Sequence, residues 1–195
     1  MNENDEASYW LTPNEYQQLS TVEKNQLALD RYKKRRKDKV EIGYEYERYI
    51  GYYMQQKGYE VQYYGIEQGK EDLGRDLICK KEDQVLIVQC KCWSNKRKMV
   101  IHEKHINQLF GTTLKYYYDN VSADLSDFFV PYEFTDTKIN VVPVFVSTVP
   151  LSDTAEQFAA ALNVEFWQIP LGDYPVIKCN INQGTKEKIY HLPFD

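Results

Sequence analysis

Apolar positions fall in helical spacing over the first third of the chain and in strand-like runs after it. From Val40, the residues Ile42, Tyr46, Tyr49, Ile50, Tyr53 and Met54 recur at i, i+4, i+7, i+8, i+11 and i+12, one face of a helix that Gly58 terminates. Two shorter helices precede it. Thr12-Pro13-Asn14-Glu15 reads as a capping box with proline at the first helical position, and Ser20-Thr21-Val22-Glu23 repeats the signature. The second of these helices is predicted to run through Leu27, Leu29 and Tyr32 into the basic stretch Lys33-Lys34-Arg35-Arg36-Lys37. Residues 1–10 are polar and are expected to be disordered, residues 11–39 to form a helical extension with a basic end, and residues 40–195 to form the main domain.

Tyr59 to Tyr64 alternates as a strand, and Gly65, Gly69 and Gly74 punctuate the acidic loop after it, which carries Glu67, Glu71 and Asp72. Gly74-Arg75-Asp76-Leu77-Ile78 and Val85 to Trp93 then read as two strands joined by a charged turn at Lys80 to Asp83. With the turn centred between Glu82 and Asp83, antiparallel pairing sets Asp76 opposite Gln89. The two-residue period puts Lys91 on the face of Gln89, and Cys90 and Cys92 on the opposite face. A carboxylate, an amide and an ammonium converge in that register, which a one-residue slip would destroy. Glu47 stands at the border of the Val40 helix stripe, in line with Ile50 and Met54, so its carboxylate could be directed toward the sheet.

A basic turn, Ser94-Asn95-Lys96-Arg97-Lys98, leads to a helix with Ile106, Leu109, Phe110, Thr113 and Tyr117 on one face. Residues 119–140 show no clear period and read as a long loop. Val141 to Ser147, a helix capped near Ser152 or Asp153, and Val164 to Ile169 form a βαβ unit, whose parallel strands make the sheet mixed. Tyr174 to Ile181 and Lys188 to Leu192 close the chain as a pair of strands around Gln183-Gly184. The stop at Leu192-Pro193-Phe194-Asp195, with no polar tail, reads as a truncated chain.

At 195 residues and 43% hydrophobic, the chain can bury a full core. A formal charge of -5 argues against a non-specific nucleic-acid coat, although basic residues gathered on one face would still serve a nuclease. The runs Lys33 to Lys37 and Lys96 to Lys98 each read either as solvated charge or as a grip on a phosphate backbone. The 17 tyrosines lie largely on helices beside charges, where amphipathic packing leaves their hydroxyls at the edge. Cys79, Cys90, Cys92 and Cys179 lack CxxC spacing and are expected to be reduced core residues. Neither a signal peptide nor a membrane anchor is expected, and a cytoplasmic location follows by default. His102 and His105, three apart, could share a metal but have no Glu or Cys partner at a recognised spacing. The serine-hydrolase elbow and the Walker lysine loop are absent from the sequence.

What survives is Asp76 followed by Gln89-Cys90-Lys91 and preceded by a helix with a border carboxylate. This resembles the PD-(D/E)xK nuclease superfamily and, more narrowly, the Mrr-type restriction endonuclease family. In that family glutamine often takes the second acidic position, the helix carries a Gly-Tyr-x-aromatic-Glu pattern, and a Gly-rich loop leads to Gly-x-Asp. Gly43-Tyr44-Glu45-Tyr46-Glu47 and Gly74-Arg75-Asp76 match those features, and the resemblance covers roughly residues 40–170. It implies an α/β sandwich with a mixed central sheet flanked by helices, and cleavage of DNA phosphodiester bonds with Mg2+ or Mn2+ in restriction or defence. By the same resemblance Asp76 would be the principal metal ligand, with the Gln89 amide oxygen and the Cys90 backbone carbonyl beside it. Glu47 would hold a water or an auxiliary ion, and Lys91 would orient the attacking water and stabilise charge on the phosphate.

Gln89 departs from the superfamily's usual acidic residue and removes one negative charge from the metal site. Three readings therefore stand: a metal-dependent endonuclease, acting on ordinary or branched DNA; a nuclease-fold module that binds DNA without cutting; and an interaction domain in which Asp76 and Lys91 are a cross-strand ion pair. Cutting both strands would require two sites, commonly supplied by a homodimer.

Overall fold

A computed structural model describes residues 5–69, 73–94, 98–131, 139–182 and 184–193. Two compact units form, one from residues 1–38 with 174–195 and the other from residues 39–173.

In the first unit, α1 (Pro13–Gln18) and α2 (Thr21–Lys34) begin at the two expected capping boxes, with the Thr12 and Ser20 hydroxyls accepting from the N–H groups of Glu15 and Glu23. Arg31 of α2 forms a forked ion pair with Glu15, 2.7 Å at its shorter limb, which lowers the Glu15 carboxyl to about 2. The helix stops at Lys34 rather than continuing through Lys37, because Arg35 takes an extended backbone and lays its guanidinium over the Tyr32 ring.

The expectation of disorder through residue 10 is corrected for residues 5–10. Glu6–Trp10 form a short 3-10 turn capped by Asp5, which also accepts a 2.5 Å hydrogen bond from the Tyr16 hydroxyl. Ala7 and Leu11 are buried, Trp10 packs edge-on against Tyr32, and Arg31 donates to the Trp10 carbonyl, so the segment gains enough contact to offset its ordering. The last strands, β6 (Lys178–Ile181) and β7 (Lys188–His191), pair antiparallel as expected but form a sheet of their own. Their segment groups with residues 1–38, not with the main domain where the sequence reading had put it. Cys179 on β6 is exposed, which corrects its assignment to a core.

The second unit is an α/β sandwich. Its elements run α3 (Lys39–Gln56), β1 (Glu60–Gln62), α4 (Tyr64–Gln68), β2 (Leu77–Lys81), β3 (Gln84–Lys91), α5 (Glu103–Asn120), β4 (Asn140–Ser147), α6 (Asp153–Ala161) and β5 (Glu165–Gln168). The sheet order is β1-β2-β3-β4-β5, antiparallel from β1 to β3 and parallel from β3 to β5, so the sheet is mixed as the hairpin and βαβ unit required. Tyr46, Ile50 and Met54 of α3 cover one face over Leu77, Cys79, Leu86, Val88 and Cys90. Ile106, Leu109 and Tyr117 of α5, with Ala155 and Ala159 of α6, cover the other over Ile78, Ile87 and Phe145.

Two segments differ from the sequence reading. The strand expected through Tyr64 ends at Gln62, and α4 replaces the start of the loop, since the Gly65 N–H donates to the Asp76 carbonyl and folds the chain back onto β2. Within residues 119–140 a 3-10 turn spans Leu125–Phe129, where Phe128 packs edge-on against Phe110 and Tyr117. Residues 132–138 lie outside the described residues. Among the described residues no helix is long and apolar enough to cross a membrane.

Candidate functional site

The β2–β3 register decides which polar groups can meet. Lys81 pairs with Gln84 and Leu77 with Val88, which centres the turn between Glu82 and Asp83 and carries Asp76 to the level of Gln89. The Asp76 N–H donates to the Val88 carbonyl at 2.9 Å, so the chain is held against β3 for one residue beyond the end of β2. There the carboxylate turns along the strand ends, and its Oδ2 accepts a 2.5 Å hydrogen bond from the buried Cys90 N–H.

Glu47 arrives from α3. A Cβ placed on Gly65 would lie 3.2 Å from Asp76 Oδ1, 3.2 Å from Glu47 Oε2 and 3.1 Å from the Asp76 Cα. The two carboxylate oxygens therefore flank one point, and glycine leaves that point open. A group placed at that point would touch both carboxylates. Both also act on Cys90, whose thiol is pushed well above its ordinary range by burial first and by the Asp76 and Glu47 charges next. The Cys90 and Cys92 side chains lie on the α3 face, opposite Gln89, as the two-residue period requires.

Gln89 is buried on the α5 face, and its Oε1 has no hydrogen-bond partner. A Cβ on Gly74 would meet Gln108 Nε2 at 2.8 Å and Gln89 Nε2 at 3.0 Å. Leu73 and Gly74 both adopt left-handed backbone, with φ of 57° and 79°, at the turn that delivers Arg75 and Asp76. Arg75 is buried, with its guanidinium 4.6 Å above the Tyr64 ring and within 3.3 Å of the Tyr64 hydroxyl.

Lys91 closes β3 and is half-buried, paired with Ser147 of β4. Its charge reaches His105 of α5, whose ring packs between Trp93 and Phe145. Burial first and the Lys91 charge second hold His105 below its ordinary value of 6.5, and its buried Nε2 has no hydrogen-bond partner.

Glu47, Asp76, the Cys90 backbone and Gln89 are thus brought to one end of the sheet, with Lys91 ending the same strand. The donors there are oxygens: two carboxylates, an amide oxygen left unpartnered in the interior, and a backbone carbonyl. That set suits a hard divalent cation. Among the described residues no cluster of three or more His, Cys, Asp or Glu side chains is placed to hold a metal. Lys33, Lys34, Arg35, Arg36 and Lys37 belong to the other unit. Lys96 and Arg97 lie outside the described residues, and Lys98 is exposed with φ 48°. The sequence reading missed the placement of Gly65 beside the carboxylates and of Gln108 beside Gly74. Gly65 carried only a turn signal, and Gln108 carried no signal at all.

The family model Mrr_cat, described as a restriction endonuclease, matches residues 39–123, which span α3 to the end of α5. Two solved structures are similar at low identity. One is a protein of unknown function, AF1548, at 13% identity and a TM-score of 0.38, covering 63% of this chain and 56% of its own. The other is the MspJI restriction endonuclease in complex with a 27-mer oligonucleotide, at 12% identity and a TM-score of 0.40, covering 80% of this chain and 32% of its own. The chain therefore spans about half of the first structure and about a third of the second. No curated protein matches the chain.

Proposed function

We propose, from the match of residues 39–123 to the restriction endonuclease family, that this chain is a divalent-metal-dependent DNA endonuclease acting in restriction or defence. The observation that carries the reading is the pair of carboxylate oxygens, Asp76 Oδ1 and Glu47 Oε2, flanking the open point beside Gly65 at the head of the Gln89-Cys90-Lys91 run.

A phosphodiester repels anionic nucleophiles, so hydrolysis needs positive charge near the phosphate and a water made more acidic. A bound Mg2+ or Mn2+ supplies both. Asp76 would be the principal ligand, held in place by the Cys90 N–H on its other oxygen. The Gln89 Oε1 and the Cys90 carbonyl would add neutral donors, and Glu47 would hold a coordinated water or an auxiliary ion. Lys91 would orient the attacking water and stabilise the charge that develops on the phosphate oxygens. His105, neutral at physiological pH, would leave Lys91 as the cation on its side of the site. Lys33 to Lys37 and Lys96 to Lys98 would contact the DNA backbone, giving salt-dependent and sequence-independent affinity. Cutting both strands would call for a homodimer.

A second reading, a module that binds DNA without cutting, draws on the amide at position 89, which leaves the site one negative charge short. One assay separates the two. Modified and unmodified plasmids are incubated with the protein in Mg2+, Mn2+ or EDTA. The endonuclease reading expects nicked or linear product with metal and none with EDTA, whereas salt-dependent binding without product in either metal would favour the second.

A further inference from the structure

Asp76 stands one residue outside β2, so the strand ladder alone does not fix its backbone. Two neighbours do. Its N–H donates to the Val88 carbonyl of β3, and its carbonyl accepts from the Gly65 N–H of α4, each at 2.9 Å. A lone backbone hydrogen bond contributes little net stability, and α4 is a helix of five residues, too short to hold its place unaided.

The residues next to that bond supply a second contact. Arg75, immediately before Asp76, lays its guanidinium 4.6 Å above the ring of Tyr64, immediately before Gly65, and donates to the Tyr64 hydroxyl at 3.3 Å. Arg75 is buried, and the Tyr64 ring packs on the core that holds Ile78, Ile87 and Phe145. Attraction between a guanidinium and an aromatic face grows as water is excluded. Two consecutive pairs, Tyr64 with Arg75 and Gly65 with Asp76, thus zip the start of α4 to the chain just before β2. The zip bears on the site because a Gly65 Cβ would lie 3.1 Å from the Asp76 Cα and 3.2 Å from one oxygen of each carboxylate. We propose that Tyr64 and Arg75 are positioning residues: their stacked contact holds Gly65 against Asp76 and so fixes the Asp76 carboxylate beside Glu47 for a divalent cation. The inference rests on the reading of Asp76 and Glu47 as carboxylates of a metal site. It gives a task to the middle residue of Gly74-Arg75-Asp76 and to Tyr64, which lies outside the matched motifs.

The test is a titration of the full chain with Mn2+, followed by the loss of free-ion signal in electron paramagnetic resonance, with folding checked by circular dichroism. Tyr64→Leu keeps an apolar side chain against the core but removes the aromatic face, and it should weaken Mn2+ binding about tenfold, the lower end of what an orienting partner of a metal ligand contributes. Tyr64→Phe keeps the face and should restore most of the affinity. Arg75→Met, which keeps a long side chain and loses the cation, should match Tyr64→Leu, and it decides the question if Tyr64→Leu does not fold. The double variant should bind no more weakly than either single one, because the same contact is lost in all three. Parent-like binding in Tyr64→Leu and Arg75→Met, with Asp76→Ala abolishing it, would overturn the positioning role and leave the metal site standing. Losses that add in the double variant would also overturn it, since the two residues would then act separately. So would a loss in Tyr64→Phe as large as in Tyr64→Leu, because the ring face would then not be what holds Arg75. A parent chain that binds no Mn2+ would overturn both the inference and the site on which it rests.

Discussion

At the closed end of the β2–β3 hairpin Lys80, Lys81, Glu82 and Asp83 stand exposed, whereas at the open end Arg75, Asp76 and Gln89 keep only 7%, 6% and 2% of their surface. Both ends are polar in sequence and both belong to the same two strands. At the closed end water solvates the charges, and Lys81 reaches back to the Lys57 carbonyl and the Tyr59 ring, an arrangement that costs the fold little. At the open end a buried amide oxygen goes without a partner, which costs stability unless a ligand compensates. A fold retains such a cost where the group has other work to do.

The comparison can be broken from either end. Lys91→Ala should reduce plasmid cleavage by roughly two to three orders of magnitude while leaving Mn2+ affinity near that of the parent. Loss of metal binding in that variant would show that Lys91 shapes the site rather than acting on the phosphate. Gly65→Ala comes next. Its Cβ would press on the Asp76 backbone and on both carboxylate oxygens, and a displacement near 1 Å should cost about a hundredfold in cleavage. Undiminished cleavage there would show that the convergence at Gly65 is incidental.

Part of this was legible in the sequence. The charged turn at Lys80 to Asp83 pointed to the register that brings Asp76 to Gln89, although the apolar run Val85 to Val88, buried on both faces, left a one-residue slip open. The stripe of α3 placed Glu47 at its border. What escaped notice depends on contacts between distant segments. Tyr59 to Tyr64 alternates well enough for a longer strand, but the hydrogen bond from Gly65 to Asp76 turns the chain into α4, and nothing local announces it. Residues 5–10 are polar enough to read as disorder, yet Asp5, Trp10 and Arg31 tie them down through partners in both helices of their unit. Gln108 falls outside every motif because only the packing of α5 brings it beside Gly74.

Smaller effects sharpen the contrast. His105→Phe removes a buried nitrogen without a partner and should stabilise the fold by about 1 kcal/mol near pH 7, measured by urea unfolding. The pH dependence has a definite sign. Because the folded value of His105 lies below 6.5, the unfolded chain takes up the proton first, and the parent should lose stability as pH falls from 6.5 through the folded value. The phenylalanine variant should lack that component, and identical pH profiles would refute the assignment. At the closed end, Glu82 has φ 51° at a turn position that hairpins commonly give to glycine. Glu82→Gly should raise stability by up to about 1 kcal/mol by relieving left-handed strain, with cleavage unchanged. A fall in cleavage would mean that the two ends are not independent.

The most direct measurement compares plasmid cleavage by the parent and by Asp76→Ala in Mg2+ and Mn2+, with folding of both checked by circular dichroism. The account predicts metal-dependent cleavage by the parent, abolished by EDTA, and a loss of at least about a thousandfold in a folded Asp76→Ala chain. Cleavage by Asp76→Ala at the parent's rate, or cleavage by the parent that persists in EDTA, would contradict it.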